Sequence, residues 1–293
     1  MSGKQNPGNG AGLTKEQRRA RAREVAKRMA AEEAARKRRN IIISWIVGIV
    51  VVALVGGLVW YIVSEGSKQS ASQGSTTSQS ASGDPQLTAT KRGTDNLANL
   101  PQNTDQYGGI PVGSSLKAGT SNEGVPNVTV YYDFMCIYCN QLEHQYADQL
   151  TELAKEGKIT LTYAPVRIFQ DEFSSKAAQA EYWMAENQPD LFLKFHNQMF
   201  SEVMWPMFEN GEPSTTPENS ELTRVAKEVG VKDTSALQKA LDDDAYASFL
   251  TAQGKQFQAD GFTGTPTVLI NEQQLSNWPG GVLLTAINQA MAK

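Results

Sequence analysis

Apolar and polar residues follow regular periods in the second half of the chain, and these periods predict an order of strands and helices. Val128–Phe134 is an almost continuous apolar run, as in a buried strand, and Cys136–Glu156 has the spacing of a helix. Lys158–Ala164 alternates and is rich in β-branched residues, which predicts a second strand. The later predicted elements are helices over Phe173–Glu186, Pro189–Glu202, Ser220–Val229, Ser235–Asp243 and Ala245–Ala259, strands over Thr267–Ile270 and Gln273–Ser276, and a closing helix over Gly281–Ala292. This order predicts an α/β domain with a helical insertion at about 171–260.

The first half of the chain contains one long apolar segment, Ile41–Val63, which is 23 residues without a charged side chain. As a helix it is roughly 34 Å long, enough to cross a hydrocarbon layer of about 30 Å. Trp45 lies near one end and Trp60 near the other, where aromatic residues meet the membrane interface. A cleaved signal peptide is the alternative, but its apolar region is usually about 7–15 residues. We therefore predict one transmembrane helix over 41–63 that remains as an anchor.

Charge is distributed unevenly on the two sides of this segment. Residues 1–40 contain 12 Lys and Arg against four acids, whereas the rest of the chain has 15 against 27, a net charge of −12. Basic residues stay on the cytoplasmic side, so we predict a cytoplasmic tail over 1–40 and an extracytoplasmic C-terminal part in the cell membrane. The tail is expected to contact anionic lipid of the bilayer, or to serve only as an orientation signal. Because no aromatic residues are interleaved with the basic ones, we do not expect nucleic-acid binding.

The segment after the predicted membrane helix is rich in Ser, Gln, Gly and Thr as far as Gly83 and remains polar as far as Gly109. Such a composition has too few large apolar residues to form a core. We therefore predict a flexible linker over 64–109. The remaining residues, 110–293, are enough for one domain with a hydrophobic core.

The chain has two cysteines, and they are three residues apart in Cys136-Ile137-Tyr138-Cys139. The pair follows the predicted strand and begins the predicted helix. At a helix N-terminus, backbone N–H groups and the helix dipole stabilise a thiolate, which is the reactive form in thiol–disulfide exchange. Extracytoplasmic surroundings are oxidising, so this position and the predicted location both indicate a redox site.

Two motifs together carry a resemblance to a known family. Asp133-Phe-Met-Cys-Ile-Tyr-Cys139 and Gly261-Phe-Thr-Gly-Thr-Pro-Thr-Val-Leu-Ile-Asn271 resemble the corresponding parts of DsbA-type thiol:disulfide oxidoreductases, in particular the membrane-anchored, extracytoplasmic kind of actinobacteria. The resemblance implies a thioredoxin fold with an inserted helical domain. It also implies a cis peptide between Thr265 and Pro266, packed against the dithiol and leaving the Thr265 backbone free to pair with an extended substrate.

The position of the pair in the motif suggests a role for each residue. Cys136, at the helix start, is expected to be exposed and to form the mixed disulfide with a substrate, and Cys139 is expected to be the buried resolving residue. Ile137 and Tyr138 are expected to tune the thiolate through their backbone N–H groups.

The chain also departs from its relatives. Many of them carry Pro-His, Pro-Tyr or Pro-Phe between the cysteines, and some bury an acid at the position of Val130. Asp133 and Glu143 are the candidates for handling protons instead. The alternatives are a turn or capping residue for Asp133 and a solvent-exposed helix residue for Glu143.

We predict no bound metal and no organic cofactor, only a redox-active disulfide between Cys136 and Cys139. These cysteines with His144 and His196 match a zinc ligand set in number, but the histidines are 52 residues apart instead of forming a short-spaced pair.

Three functions remain after this reasoning. The first is a thiol oxidase that introduces disulfides into exported proteins with free thiols, reoxidised by a membrane partner of the DsbB or VKOR type, which the resemblance alone implies. The second is a reductase or isomerase on the same fold. The third is a tethered binding module with a static disulfide, although a loop closed by such close cysteines stabilises a fold little.

Overall fold

The computed structural model describes residues 84–169, 171–209 and 216–293. The predicted cytoplasmic tail, the predicted membrane helix and the first part of the predicted linker lie outside these ranges. Within them, no helix has the length and apolar composition needed to cross a bilayer.

The described residues form six strands and eight α-helices in an α/β arrangement. Three strands precede the cysteine pair: β1 (Leu87–Ala89), β2 (Ile110–Val112) and β3 (Asn127–Tyr132). The remaining elements are α1 (Ile137–Lys155), β4 (Thr160–Pro165), α2 (Glu172–Asn187), α3 (Phe192–Gln198), a π-helical segment (Met199–Met204), α4 (Trp205–Phe208), α5 (Ser220–Val229), α6 (Ser235–Asp242), α7 (Ala247–Ala259), β5 (Thr267–Ile270), β6 (Gln273–Leu275) and α8 (Val282–Met291).

One six-stranded mixed sheet organises the fold, with the strand order β1-β6-β5-β3-β4-β2. β3 and β4 are parallel, and every other neighbouring pair is antiparallel. Because successive side chains of a strand point to opposite faces, Val130 and Tyr132 join the larger hydrophobic core while Tyr131 joins a smaller one. β3 is thus buried on both faces, which explains its almost continuous apolar sequence.

Helices between β4 and β5 pack on the larger core, and Phe257 of α7 also reaches the smaller core on the opposite face. Aromatic rings from α3 and the π-helical segment pack against rings of β3 and the turn after it; Phe134 and Phe200 stack with their centroids 4.8 Å apart. The predicted helix over 189–202 starts three residues later, at Phe192, and changes to π-helical geometry at Met199. This part of the fold places a helical layer directly over the end of β3 where the cysteine pair begins.

The prediction of a flexible linker as far as Gly109 is wrong for residues 84–109. Leu87–Ala89 pairs with Gln273–Leu275 at the edge of the sheet. The guanidinium of Arg92 is almost fully buried, bonds to Glu272 and donates a hydrogen bond to Tyr131 Oη over 3.1 Å. Pairing of backbone groups and the ion pair between buried Arg92 and half-exposed Glu272 hold this segment, and neither produces an apolar pattern in the sequence. The folded part therefore begins near Asp84 instead of Ile110.

Candidate active site at the cysteine pair

Cys136 caps the N-terminus of α1. Its sulfur accepts a hydrogen bond from the Cys139 N–H over 3.4 Å, and its own N–H donates to the Asp133 carbonyl over 3.0 Å. The side chain of Asp133 accepts a further bond from the Met135 N–H, which tightens the turn between β3 and α1. The first thiol is therefore held against the positive end of the helix, where a negative sulfur is stabilised.

The two thiols have opposite pKa shifts. The pKa of Cys136 is lowered to about 7, chiefly because the Cys139 side chain hydrogen-bonds to its sulfur; the Thr265 side chain and the Cys139 and Tyr138 backbones contribute, and burial opposes the shift. The pKa of Cys139 is raised well above its usual value by burial and by its interaction with Cys136. The pair can thus hold one thiolate and one thiol near neutral pH.

The prediction that Cys136 is exposed is wrong. Only 3% of its surface is accessible, against 1% for Cys139, whereas Tyr138 between them is 59% exposed. The reason is the loop before β5, whose Thr265 carbonyl accepts a hydrogen bond from the Cys136 thiol over 3.2 Å. A substrate must therefore approach over Tyr138 and this loop.

Thr265 and Pro266 lie where the resemblance placed them, beside the cysteine pair. The peptide bond between them is cis. The Thr265 hydroxyl is buried without a hydrogen-bond partner among the described residues, and it lies near enough to contribute to the lowered pKa of Cys136. This loop and α1 thus contact the same sulfur from two sides.

Asp133 is buried and accepts four hydrogen bonds. Besides Met135, the donors are the backbone N–H groups of Ile168 and Phe169, at 2.8 and 3.0 Å, and the Ser174 hydroxyl. Burial raises the pKa of Asp133, while these hydrogen bonds oppose the shift. The contacts tie the loop after β4 and the start of α2 to the active-site turn, as expected for a turn-stabilising residue; a role in proton transfer stays a prediction.

Glu143 is not the solvent-exposed helix residue considered as its alternative, because it is buried within a polar cluster. Its Oε2 atom lies 3.4 Å from His196 Nε2 and accepts a hydrogen bond of 3.4 Å from Tyr163 Oη. On the other side of the ring, His196 Nδ1 lies 2.7 Å from Glu181 Oε1. Burial alone lowers the pKa of His196, but the two carboxylates outweigh it and raise the pKa to about 9.

Sequence reasoning missed this cluster. Glu181 and His196 lie in separate helices of the insertion, and nothing in the spacing of the sequence connects them with Glu143 of α1. The imidazole and both carboxylates lie among aromatic rings, including Tyr132 at 5.2 Å from the His196 ring centre. We call Glu143, Tyr163, Glu181 and His196 the buried cluster.

His144, the residue after Glu143 in α1, does not join the buried cluster. It is exposed and stacks on Trp205 with ring centres 3.6 Å apart. Together with Tyr138 and Trp278 these rings line an aromatic groove beside the cysteine pair. His144 and His196 are therefore not brought together, and the described part of the chain has no group of His, Cys, Asp and Glu side chains that could hold a metal ion.

Comparisons with known proteins agree with this architecture. A family model described as thioredoxin matches residues 121–281. Among solved structures, MdbA from Actinomyces oris, a thiol-disulfide oxidoreductase, matches with a TM-score of 0.54 and 22% identity over 67% of this chain and 92% of its own. BdbD from Bacillus subtilis, in its oxidised form, matches with a TM-score of 0.54 and 18% identity over 72% of this chain and 100% of its own.

DsbA from Mycobacterium tuberculosis, in its reduced form, is a third similar structure. It matches with a TM-score of 0.51 and 24% identity over 63% of this chain and 93% of its own. At such identities the likeness establishes the fold. Among curated protein sequences, none matches this chain.

Proposed function

The chain belongs to the thioredoxin family, and on that basis we propose that it is a thiol:disulfide oxidoreductase acting through Cys136 and Cys139. The observation that carries this proposal is the position of Cys136 as the N-cap of α1, with its sulfur between the Cys139 N–H and the Thr265 carbonyl; the opposed directions of the two pKa shifts agree with it. A static structural disulfide has no need of a stabilised thiolate at a helix N-terminus, so a binding module is the weaker candidate.

The exchange begins with the disulfide form of the pair. A substrate thiolate attacks the Cys136 sulfur, the Cys136–Cys139 bond breaks, and its electron pair goes to Cys139, which takes up a proton because its pKa is raised. A second substrate thiolate then attacks the substrate sulfur of the mixed disulfide, and Cys136 leaves as a thiolate that the helix N-terminus stabilises. The substrate loses two electrons to form its disulfide, and the enzyme pair gains them.

We propose oxidation of exported proteins as the physiological direction. The similarity to MdbA, BdbD and DsbA supports it, as does the predicted extracytoplasmic position of the domain. Continued turnover then requires a membrane partner of the DsbB or VKOR type that returns the pair to the disulfide.

Reduction or isomerisation is the second candidate, and one observation favours it. A pKa of about 7 for Cys136 is close to that of thioredoxin, about 7, and well above that of the strong oxidant DsbA, about 3.5. The dipeptide Ile137-Tyr138 contains no histidine that would lower the pKa of Cys136 further.

The reduction potential decides between the two directions. The full-length protein is equilibrated in glutathione buffers, and the thiols of the pair are counted by alkylation and mass spectrometry. A potential above about −180 mV supports disulfide donation, whereas one below about −250 mV means that the protein is a reductant. A protein in which the pair never exchanges with glutathione contradicts both.

The proposed location is tested separately in intact cells. An epitope tag at the C-terminus should be removed by external protease once any outer barrier is opened, while a tag at the N-terminus should be protected. Protection of both tags would place the catalytic domain in the cytoplasm and contradict the oxidase proposal.

A further inference from the structure

The structure contains a second groove, whose lining shares no residue with that of the aromatic groove. It has a volume of about 530 Å³ and is formed between α7, the loop after β4 and the loop before β5. Its floor contains the buried side chains of Leu250, Phe257 and Phe262. We call it the basic groove because Arg167 and Lys255 line it.

The charge of the basic groove differs from that of its surroundings. Its lining has these two cations and no acidic side chain, in a part of the chain, 41–293, that has 15 Lys and Arg against 27 Asp and Glu. Neither Arg167 nor Lys255 forms an ion pair or a side-chain hydrogen bond with a residue that the structure describes. Two free cations over an apolar floor match a polypeptide segment that carries both carboxylates and apolar groups.

The basic groove is connected to the reacting sulfur by a short stretch of backbone. Thr263, at the edge of the groove, is two residues from Thr265, whose carbonyl bonds to Cys136, a distance of at most about 7 Å along the chain. No described residue accepts a hydrogen bond from the N–H groups of Thr263, Gly264 or Thr265. Because successive N–H groups of extended backbone point to opposite sides, Thr263 and Thr265 are the donors that can share one open edge, on which an extended chain can pair as a β-strand.

A substrate attached to Cys136 can follow this edge. An extended polypeptide advances about 3.3 Å per residue, so a residue two or three positions from the reacting cysteine lies at the groove. Leu250, Phe257 and Phe262 then contact its apolar groups, and Arg167 and Lys255 contact its carboxylates.

We propose that the basic groove is a substrate-specificity site, which binds Asp or Glu side chains located two or three residues from the reacting cysteine of an extended substrate. This inference rests on the proposed function, since it assumes a mixed disulfide at Cys136. The proposal predicts that acidic peptides are preferred as substrates. The net negative charge of the domain by itself would have the opposite effect, because it repels acidic peptides.

The test uses oxidised full-length protein and three dithiol peptides that differ only in the residues two and three positions from the first cysteine. These residues are Glu in one peptide, Gln in the second and Lys in the third. The rate at which the protein oxidises each peptide is divided by the rate at which oxidised dithiothreitol, an uncharged reagent, oxidises the same peptide. This ratio removes the effect that the neighbouring residues have on the reactivity of the peptide thiol itself. We expect the Glu peptide to exceed the Gln peptide about three- to twenty-fold at low ionic strength, as two partly exposed ion pairs allow, with a smaller ratio in salt.

Variants assign this preference to the groove. The double variant Arg167→Gln/Lys255→Gln should bring the ratio of Glu to Gln peptide close to one, and Lys255→Glu should shift the preference toward the Lys peptide. The matched control Lys194→Gln removes an exposed lysine of α3 outside the groove and should keep the ratio of the parent protein. A thermal unfolding midpoint for each variant confirms that it is folded.

A second pair of variants tests occupancy of the groove without changing charge. Gly254 lines the groove, and a Cβ atom there would meet no atom within 4 Å. The Gly254→Leu variant should therefore fold, with the leucine side chain in the groove. It should oxidise the Glu peptide several-fold more slowly than the Gly254→Ala variant does.

The outcomes separate this inference from the proposed function. Equal normalised rates for the Glu and Gln peptides, or a ratio that the double variant leaves unchanged, overturn the specificity site while the oxidoreductase remains. If the parent protein oxidises no peptide at all, the proposed function fails and the specificity site fails with it.

Discussion

At the scale of single residues, the chemistry of the proposed active site depends on the difference between two sulfurs. Hydrogen bonds from Cys139, from the Thr265 side chain and from helix N–H groups outweigh the burial of Cys136, whereas burial and the interaction with Cys136 outweigh the hydrogen bonds to Cys139. After the two exchange steps, Cys139 is therefore held as a thiol and Cys136 as a thiolate. This asymmetry leads to two predictions.

Substitution Cys139→Ala should trap substrates on Cys136, because the Cys136 thiolate can still attack a substrate disulfide while Cys139 is no longer present to attack Cys136 and displace the substrate. We expect adducts on a non-reducing gel of extracts from cells that make the variant, which disappear when reductant is added. The double variant Cys136→Ala/Cys139→Ala is the matched control and should form none. Absence of any adduct from Cys139→Ala would contradict the exchange mechanism.

The alkylation rate of the reduced protein should follow the thiolate of Cys136. With a pKa of about 7, the rate of Cys136 with iodoacetamide should rise about tenfold per pH unit below pH 7 and level off above it. Cys139 should stay unreactive over the same range, because its thiol is buried and its pKa is raised. Peptide mapping after alkylation distinguishes the two residues, and a midpoint near pH 9 would show that neither Cys139 nor the helix N-terminus activates Cys136.

At the scale of secondary-structure elements, the buried cluster connects the active-site helix to the helical insertion. Glu143 belongs to α1, while Glu181 and His196 belong to α2 and α3. A buried charge without its partner is costly, so loss of one member should cost about 3–5 kcal/mol, whereas replacing all by apolar residues is often neutral. The insertion is therefore joined to α1 by contacts whose partial loss costs more stability than their complete replacement.

The stability of the parent protein should depend on the protonation of His196. Its pKa of about 9 lies above the usual 6.5, so the folded state binds this proton more tightly than the unfolded state. The resulting stabilisation is complete below pH 6.5 and is lost as the pH rises through 9, a decrease of about 3 kcal/mol.

Urea unfolding at pH 6.5 and pH 9.5 measures this decrease. The matched control is the triple variant Glu143→Leu/Glu181→Leu/His196→Phe, which keeps similar volumes and removes the titrating groups. The lowered pKa of Cys136 acts in the opposite direction in both proteins and cancels in the comparison. A decrease of equal size in parent and triple variant would show that His196 is not the group responsible.

At the scale of the whole described domain, the sheet is completed by the segment before Ile110. β1 covers the edge of β6, and Arg92 inserts between Tyr131 and Glu272 and lies over the ring of Tyr107, 3.8 Å from its centre. An edge strand left unpaired is a risk for aggregation. The N-terminal segment thus belongs to the domain that carries the site.

Substitution Arg92→Met should lower the free energy of unfolding by about 1.5–3 kcal/mol, the usual contribution of a hydrogen bond to a charged group. The neighbouring Lys91→Met is the matched control, because Lys91 is exposed and should contribute little. The midpoint of urea unfolding measures both. Equal midpoints for the two variants would mean that the contacts of Arg92 do not contribute to the stability of the fold.

Local features of the sequence were enough to predict the order of most elements and the position of the cysteine pair. Strand β3 was visible because both of its faces are buried, and α1 because its apolar positions repeat with helical spacing. The contact between Thr265 and Cys136, separated by 129 residues along the chain, was accessible only through the resemblance of two motifs.

The burial of Cys136, the buried cluster and the packing of the segment before Ile110 depend on contacts between distant residues. Glu143, Glu181 and His196 each look like ordinary helix residues in the sequence, because a charged side chain shows its partner only after the helices have packed. The same holds for Arg167 and Lys255, which line one groove although 88 residues separate them. Periodicity along a chain reports which face of an element is apolar, and only the tertiary fold decides which elements face one another.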